Sequence, residues 1–134
     1  MLPALSAIKS QSDERGRLSF AEVGGGLPFE PKRFFLVDNV PAGTSRGGHA
    51  HRSCAQYLVA VRGKVAVSLD DGQSRAEYLL ERPDQALHIP AGVWGTQQYL
   101  TEDACLLVVA SETYDAGEYL SDYAEFLEFR KACS

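Results

Sequence analysis

The sequence predicts an all-β domain, a sandwich or closed barrel of short strands, that ends in one helix. Three observations predict it. Turn-forming clusters recur along nearly the whole chain, at Asp13-Glu14-Arg15-Gly16, Gly24-Gly25-Gly26, Pro41-Ala42-Gly43, Gly47-Gly48, Asp70-Asp71-Gly72, Arg82-Pro83-Asp84 and Pro90-Ala91-Gly92. The segments between them are short and rich in β-branched and aromatic residues, and many short, evenly spaced strands suit a sandwich or barrel. The apolar spacing becomes helix-like only in the tail.

In chain order, strands are expected over Leu18–Val23, Arg33–Val40, Gly48–Ala50, Cys54–Arg62, Lys64–Leu69, Ala76–Leu80, Ala86–Ile89, Trp94–Tyr99 and Ala104–Ala110. Within Lys64–Leu69, Val65, Val67 and Leu69 alternate with Lys64, Ala66 and Ser68, the period of two that a half-buried strand needs. That strand and Ala76–Leu80 flank Asp71-Gly72, a dipeptide able to supply positive φ, so the two are expected to form a hairpin. From Gly117 to Lys131, Tyr119, Leu120, Tyr123, Phe126, Leu127 and Phe129 fall at helical spacing, which predicts one short helix packed on the barrel.

At 134 residues the chain suits one domain, 1–134, with no room for a second. Hydrophobic residues make up 45% and charged residues 23%, the balance of a soluble globular protein. No apolar run approaches the ~20 residues of a membrane helix. The opening Met1-Leu2-Pro3-Ala4-Leu5 lacks a basic segment followed by an apolar stretch, so no secretory signal is read and a cytoplasmic location is expected. Cys54, Cys105 and Cys133 are odd in number, scattered and without CxxC spacing, and are read as reduced thiols. A net charge of −5 leaves no footprint for nucleic acid. Any phosphate-bearing ligand must therefore meet a local arginine cluster.

The chemistry concentrates in the stretch from Gly43 to Gly63, which reads G-x5-H-x-H-x4-Q-x6-G through His49, His51 and Gln56. It resembles the first motif of the cupins, with Gln56 at the usual glutamate position. Downstream, Asp84-x5-Pro90-x-Gly92-x2-Gly95 resembles the second cupin motif, with Gly95 where the third metal-binding histidine belongs. The resemblance implies a cupin double-stranded β-helix, the jelly-roll barrel.

Alternate side chains of a strand share a face, so His49 and His51 are expected to project together into the barrel mouth. A cupin metal site would add a carboxylate and a third imidazole. Gln56 and Gly95 remove both, so no tightly bound metal is expected, and His88, seven positions before Gly95, is read as a hydrogen-bonded structural residue. Two neighbouring imidazoles with ordinary pKa values near 6.5 suit proton transfer at neutral pH. The plainer reading, in which they only brace the barrel, is opposed by Gly47-Gly48, which thin the strand beside them and let a ligand approach the backbone.

Within the cupins, the chain resembles the nucleotide-sugar 3,4-ketoisomerases, relatives of the deoxysugar 3,5-epimerases. The resembling segments are Arg15-Gly16-x-Leu18, Pro28-Phe29-Glu30-x-Lys32-Arg33, Ser45-Arg46-Gly47-Gly48-His49-Ala50-His51, Leu69-Asp70-Asp71-Gly72, Ile89-Pro90-x-Gly92-x-Trp94 and Tyr114-Asp115-x3-Tyr119-x2-Asp122-Tyr123-x-Glu125-Phe126-Leu127. The resemblance implies conversion of a dTDP-linked 4-keto-6-deoxy sugar into its 3-keto isomer through an enediol, without redox cofactor or metal. It implies His49 as the carbon base and His51 as its partner, although the reverse assignment fits the sequence equally. It further implies substrate contacts from Arg15, Arg33 and Arg46 to the diphosphate, from Gln56 to a sugar hydroxyl and from Trp94 to a base or sugar, and a homodimer anchored partly through Asp122, Tyr123 and Phe126.

The chain departs from the family pattern at Phe35, where the relatives usually carry a tyrosine able to donate a proton. Water, His51, Tyr57 or Tyr99 are the replacements the sequence offers, unless the substrate or reaction differs. A 3,5-epimerase and a non-catalytic nucleotide-sugar-binding cupin are the competing readings.

Overall fold

The computed structural model describes residues 2–133. Its strands are β1 (Ser6–Ala7), β2 (Lys9–Asp13), β3 (Gly16–Phe20), β4 (Glu22–Val23), β5 (Gly26–Leu27), β6 (Arg33–Val37), β7 (Ser45–His51), β8 (Gln56–Arg62), β9 (Val65–Asp70), β10 (Arg75–Leu80), β11 (Gln85–Ile89), β12 (Trp94–Tyr99), β13 (Cys105–Ala110) and β14 (Tyr119–Leu120). One helix, α1 (Tyr123–Cys133), follows. Two five-stranded sheets, ordered β1-β11-β8-β13-β6 and β10-β9-β12-β7-β14, form the double-sheet jelly roll.

Alternation decides what lies between the sheets. Val65, Val67 and Leu69 of β9 are fully buried and meet Leu58 and Ala60 of β8, Leu106 and Val108 of β13 and Tyr99 of β12 in one core. Each such aliphatic side chain contributes about 1.5–3 kcal/mol by leaving water. The intervening residues of β8 and β13, Tyr57, Val59, Leu107 and Val109, face the other way and pack with Ile8, Leu27 and Phe29. Strand β8 is therefore apolar on both faces.

The expected hairpin forms, with Arg75 opposite Asp70 and Leu80 opposite Val65. Its loop is held by Asp71, whose Oδ1 accepts from the backbone N–H of Gln73 at 2.9 Å and of Ser74 at 2.8 Å.

Three expectations need correction. The strand expected over Leu18–Val23 is split into β3 and β4, and β3 pairs with β2, which the sequence reading missed. Every residue of β2 is exposed, so it carries no apolar alternation to read. The strand expected to run to Val40 stops at Val37, before Asn39 at φ 57°.

The helix expected from Gly117 begins only at Tyr123. Asp115 accepts from the Gly117 N–H at 2.9 Å and starts a single 3₁₀ turn, Ala116–Glu118, after which Tyr119 and Leu120 pair with His51 and Ala50 of β7. As strand neighbours the two point to opposite faces. Leu120 is fully buried beside Ala50 and Phe126, while Tyr119 turns toward the barrel interior. Asp122 then caps α1 by accepting from Ala124 N–H at 3.2 Å.

Candidate active site

The mouth of the barrel encloses a cavity of about 490 Å³. Its apolar wall is Phe35, Val37, Leu58, Leu106 and Val108, and its polar wall is Arg46, His49, Gln56, Gln97, Tyr99, Tyr114 and Tyr119. These residues come from six strands of the two sheets, β14 among them, and from the segment leading into β14, so the barrel itself sets their spacing.

His49 and His51 share the inner face of β7, with ring centroids 5.1 Å apart and planes at 86°. His49 lines the cavity. His51 is only 5% exposed and lies behind it, against a narrow recess shared with Cys54, Gln56, Gly95 and Gln97. Both of its ring nitrogens are buried without a hydrogen-bond partner among the described residues. Such atoms are costly unless a bound molecule satisfies them.

Burial pulls the His49 pKa below its usual range, partly opposed by a hydrogen bond with the Gly47 backbone. His51 falls further, to about 4, chiefly through burial, then through the nearby charges of His49 and Arg33, with Glu118 opposing. Both rings are thus neutral at neutral pH, each with one nitrogen free to accept a proton.

Tyr119 completes the cluster. It pairs with His51 across the β14 and β7 strands, ring centroids 4.4 Å apart, and its centroid lies 4.9 Å from His49. Glu118 pins this strand edge in place: its Oε1 accepts from Ser53 N–H at 2.9 Å, Ser53 O–H at 2.7 Å and Cys54 N–H at 3.0 Å. These bonds hold the Glu118 carboxyl below its usual range.

Gly47 permits the close packing at the cavity wall. Its φ is 88°, and a Cβ there would sit 2.8 Å from Gln97 Oε1 and 3.0 Å from the Gly95 carbonyl. Strand β12 slips register by a bulge between Gly95 and Thr96 at this point, and Gln97 comes to line the cavity.

Arg33 stands at the rim. Its guanidinium lies 5.4 Å from the Phe35 ring centroid and 5.6 Å from that of Tyr114. Its Nε is buried without a partner among the described residues.

The WxcM-like, C-terminal family (FdtA) matches residues 2–131. The chain belongs to the WxcM-like family. A relative from Aneurinibacillus thermoaerophilus, TDP-4-oxo-6-deoxy-alpha-D-glucose-3,4-oxoisomerase, is 32% identical over 122 residues, which cover 91% of this chain and 88% of the relative. A 3,4-ketoisomerase from Helicobacter canadensis superposes with a TM-score of 0.91 at 32% identity, covering 96% of both chains. A sugar 3,4-ketoisomerase from Thermoanaerobacterium thermosaccharolyticum, solved in complex with TDP, superposes with a TM-score of 0.91 at 31% identity, covering 97% of this chain and 95% of that one.

Among the residues expected to bind substrate, this WxcM-like chain brings Arg46 and Gln56 to the cavity and Arg33 to its rim. Trp94 is a correction. On β12, Gly95, Gln97 and Tyr99 take the inner face, so Trp94 points outward, where it meets Tyr123 at 5.3 Å and Phe126 at 5.5 Å beneath α1. Arg15 is not brought to this chain's cavity: it sits in the turn between the paired strands β2 and β3, 84% exposed and bonded to Asp13 at 2.6 Å. Of the two tyrosines offered in place of Phe35, Tyr99 reaches the cavity and Tyr57 faces away from it. His88 packs on Phe29, ring centroids 5.9 Å apart, on the outer face of its sheet.

The WxcM-like site does not fit the cupin metal centre. Gly95 offers no ligand, a Cβ there would already lie 3.3 Å from Leu69 Cδ2, and Gln56 brings no charge. No group of three or more His, Cys, Asp or Glu residues is placed to hold a metal among the described residues. Sequence reading missed Tyr119, Tyr114, Gln97 and Glu118 as site residues. Tyr114 and Tyr119 stand in one of the resembling segments, but the helical spacing from Gly117 onward points Tyr119 to packing rather than to the cavity.

Proposed function

We propose that this chain is a TDP-sugar 3,4-ketoisomerase, converting TDP-4-keto-6-deoxyglucose into a 3-keto-6-deoxyhexose within deoxysugar biosynthesis. The observation that carries the reading is the position of His49: a neutral imidazole on the cavity wall, backed by a buried His51 whose two nitrogens lack partners among the described residues. The relatives named for this activity supply the reaction.

The C3 proton is acidic because it lies next to the C4 carbonyl. His49 removes it, the C4 oxygen gains a proton, and an enediol forms. The His49 imidazolium, its N–H exchanging with solvent, then protonates C4 while O3 loses its own proton, leaving the carbonyl at C3. Hydrogen moves only as protons, so the step is redox-neutral. Each positioned transfer contributes about 10²–10⁴-fold. His51, deeper in the barrel, packs edge-on against His49 and holds its ring in place.

Gln56 hydrogen-bonds a sugar hydroxyl, and Arg46 and Arg33 hold the diphosphate, for which guanidinium forks are well shaped. The expected homodimer is supported not at the tail, where Phe126 is fully buried within its own chain, but by the outer face of the first sheet, a broad apolar hollow of about 1050 Å³ lined by Leu18, Phe20, Phe34, Val61 and Leu107. Phe34 and Leu18 are 70% and 63% exposed there, and a second copy would cover them. A cytoplasmic location suits an enzyme fed by nucleotide sugars.

Incubation with TDP-4-keto-6-deoxyglucose in D₂O, followed by NMR, tests the reading. Carbonyl migration with deuterium entering at one carbon is expected. Exchange at C3 and C5 without migration would indicate a 3,5-epimerase, and binding without exchange a non-catalytic cupin.

A further inference from the structure

The enediol route needs an acid at the C4 oxygen as well as a base at C3, and Phe35, which lines the cavity, has no proton to give. Resting on the ketoisomerase reading, we infer that Tyr119 is the proton-carrying group that serves the sugar oxygens.

Three phenols border the cavity: Tyr99, Tyr114 and Tyr119. Tyr99 is 1% exposed, and burial pushes its pKa up to about 12, which makes it a reluctant donor. Tyr114 is 67% exposed, its ring given over to Arg33, and its centroid is 6.0 Å from Tyr119 on the solvent side. Of the three, Tyr119 is the one that contacts both histidine rings while lining the cavity.

That contact has a chemical consequence. When the C3–H bond breaks and its proton forms an N–H bond on His49, the imidazole becomes a cation. When the Tyr119 O–H bond breaks and its proton joins O4, the phenol becomes an anion. The two opposite charges appear side by side on the wall of a partly buried cavity, where each stabilises the other. Tyr119 then recovers a proton from O3–H as the His49 imidazolium protonates C4, and both groups end as they began. A phenol both donates and accepts, so one residue serves both oxygens.

Tyr119→Phe keeps the ring that packs on the histidines and removes only the hydroxyl. Turnover of TDP-4-keto-6-deoxyglucose is expected to fall about 10²-fold or more in kcat, with KM within threefold of the parent and an unchanged melting temperature. A kcat within twofold of the parent overturns the assignment, since ring packing alone would then account for the residue. A loss confined to KM overturns it too, by making Tyr119 a binding contact. Failure of the unaltered protein to isomerise the sugar sinks the ketoisomerase reading itself, so the two failures are told apart.

Discussion

His51 and Tyr119 are a cross-strand pair, ring centroids 4.4 Å apart, and their pairing seals the imidazole from water. Sealing makes its protonation expensive. The His51 pKa drops from its ordinary 6.5 to about 4 in the folded chain, so between these values the unfolded chain binds the extra proton. Stability therefore falls as pH drops from about 6.5 toward 4, by up to about 3 kcal/mol from this group. His49 is shifted the same way and adds to the slope. Denaturant unfolding measured across that window is expected to show the loss, and His51→Asn to flatten it. A slope unchanged by the substitution would refute His51 as its origin.

The pairing also sorts the two histidines. Of the two, His49 lines the cavity, so it is the one that can reach a carbon of a sugar held there. His49→Asn is expected to lower both turnover and deuterium entry from solvent by about 10³-fold, while calorimetry finds TDP bound within threefold of the parent. Retained exchange with the asparagine in place would move the base to another residue.

Trp94 tests how the sequence and the structure divide. The motif placed it near the barrel mouth, but alternation on β12 turns its ring under α1. Trp94→Ala is expected to cost about 2–4 kcal/mol of stability through lost packing. Below the lowered melting temperature, TDP affinity should stay within twofold. A tenfold loss of affinity would restore Trp94 to the binding site.

What the sequence made legible follows from the signals residues carry. Val65, Val67 and Leu69 announce their strand because one face must leave water, and His49-x-His51 announces a shared face for the same geometric reason. Strand β2 was silent because all its residues are exposed, and its pairing with β3 is held by the backbone and by the Ser10 and Ser19 hydroxyls 2.8 Å apart. Tyr119 misled: together with Leu120, Tyr123, Phe126 and Leu127 it fits helical spacing, yet the Asp115 cap and pairing with β7 override that spacing at Tyr119 and Leu120. Tyr119 completes the site, and Leu120 anchors its strand in the packing with Ala50 and Phe126. Gln97 gave no signal at all, because its place depends on a bulge set by contacts distant in sequence.

Gly47 is where fold and chemistry press hardest on one backbone position. Its φ of 88° is unfavourable for any residue with a Cβ, and that Cβ would lie 2.8 Å from Gln97 Oε1 and 3.0 Å from the Gly95 carbonyl. Gly47→Ala must either push Gln97 into the cavity or move β7 away from β12, and β7 holds His49 two residues on. The backbone strain alone costs about 1–3 kcal/mol. A melting temperature lowered by several degrees is expected, together with a fall in kcat of tenfold or more, because His49 would shift against the sugar. Gly48→Ala, at φ 77° but with nothing within 4 Å of its Cβ, carries the same conformational penalty without the clash. It is expected to lose stability to a similar degree and keep more of the turnover. Equal activity losses in the two variants would show that strain in β7, rather than the contact with Gln97, sets the position of the base.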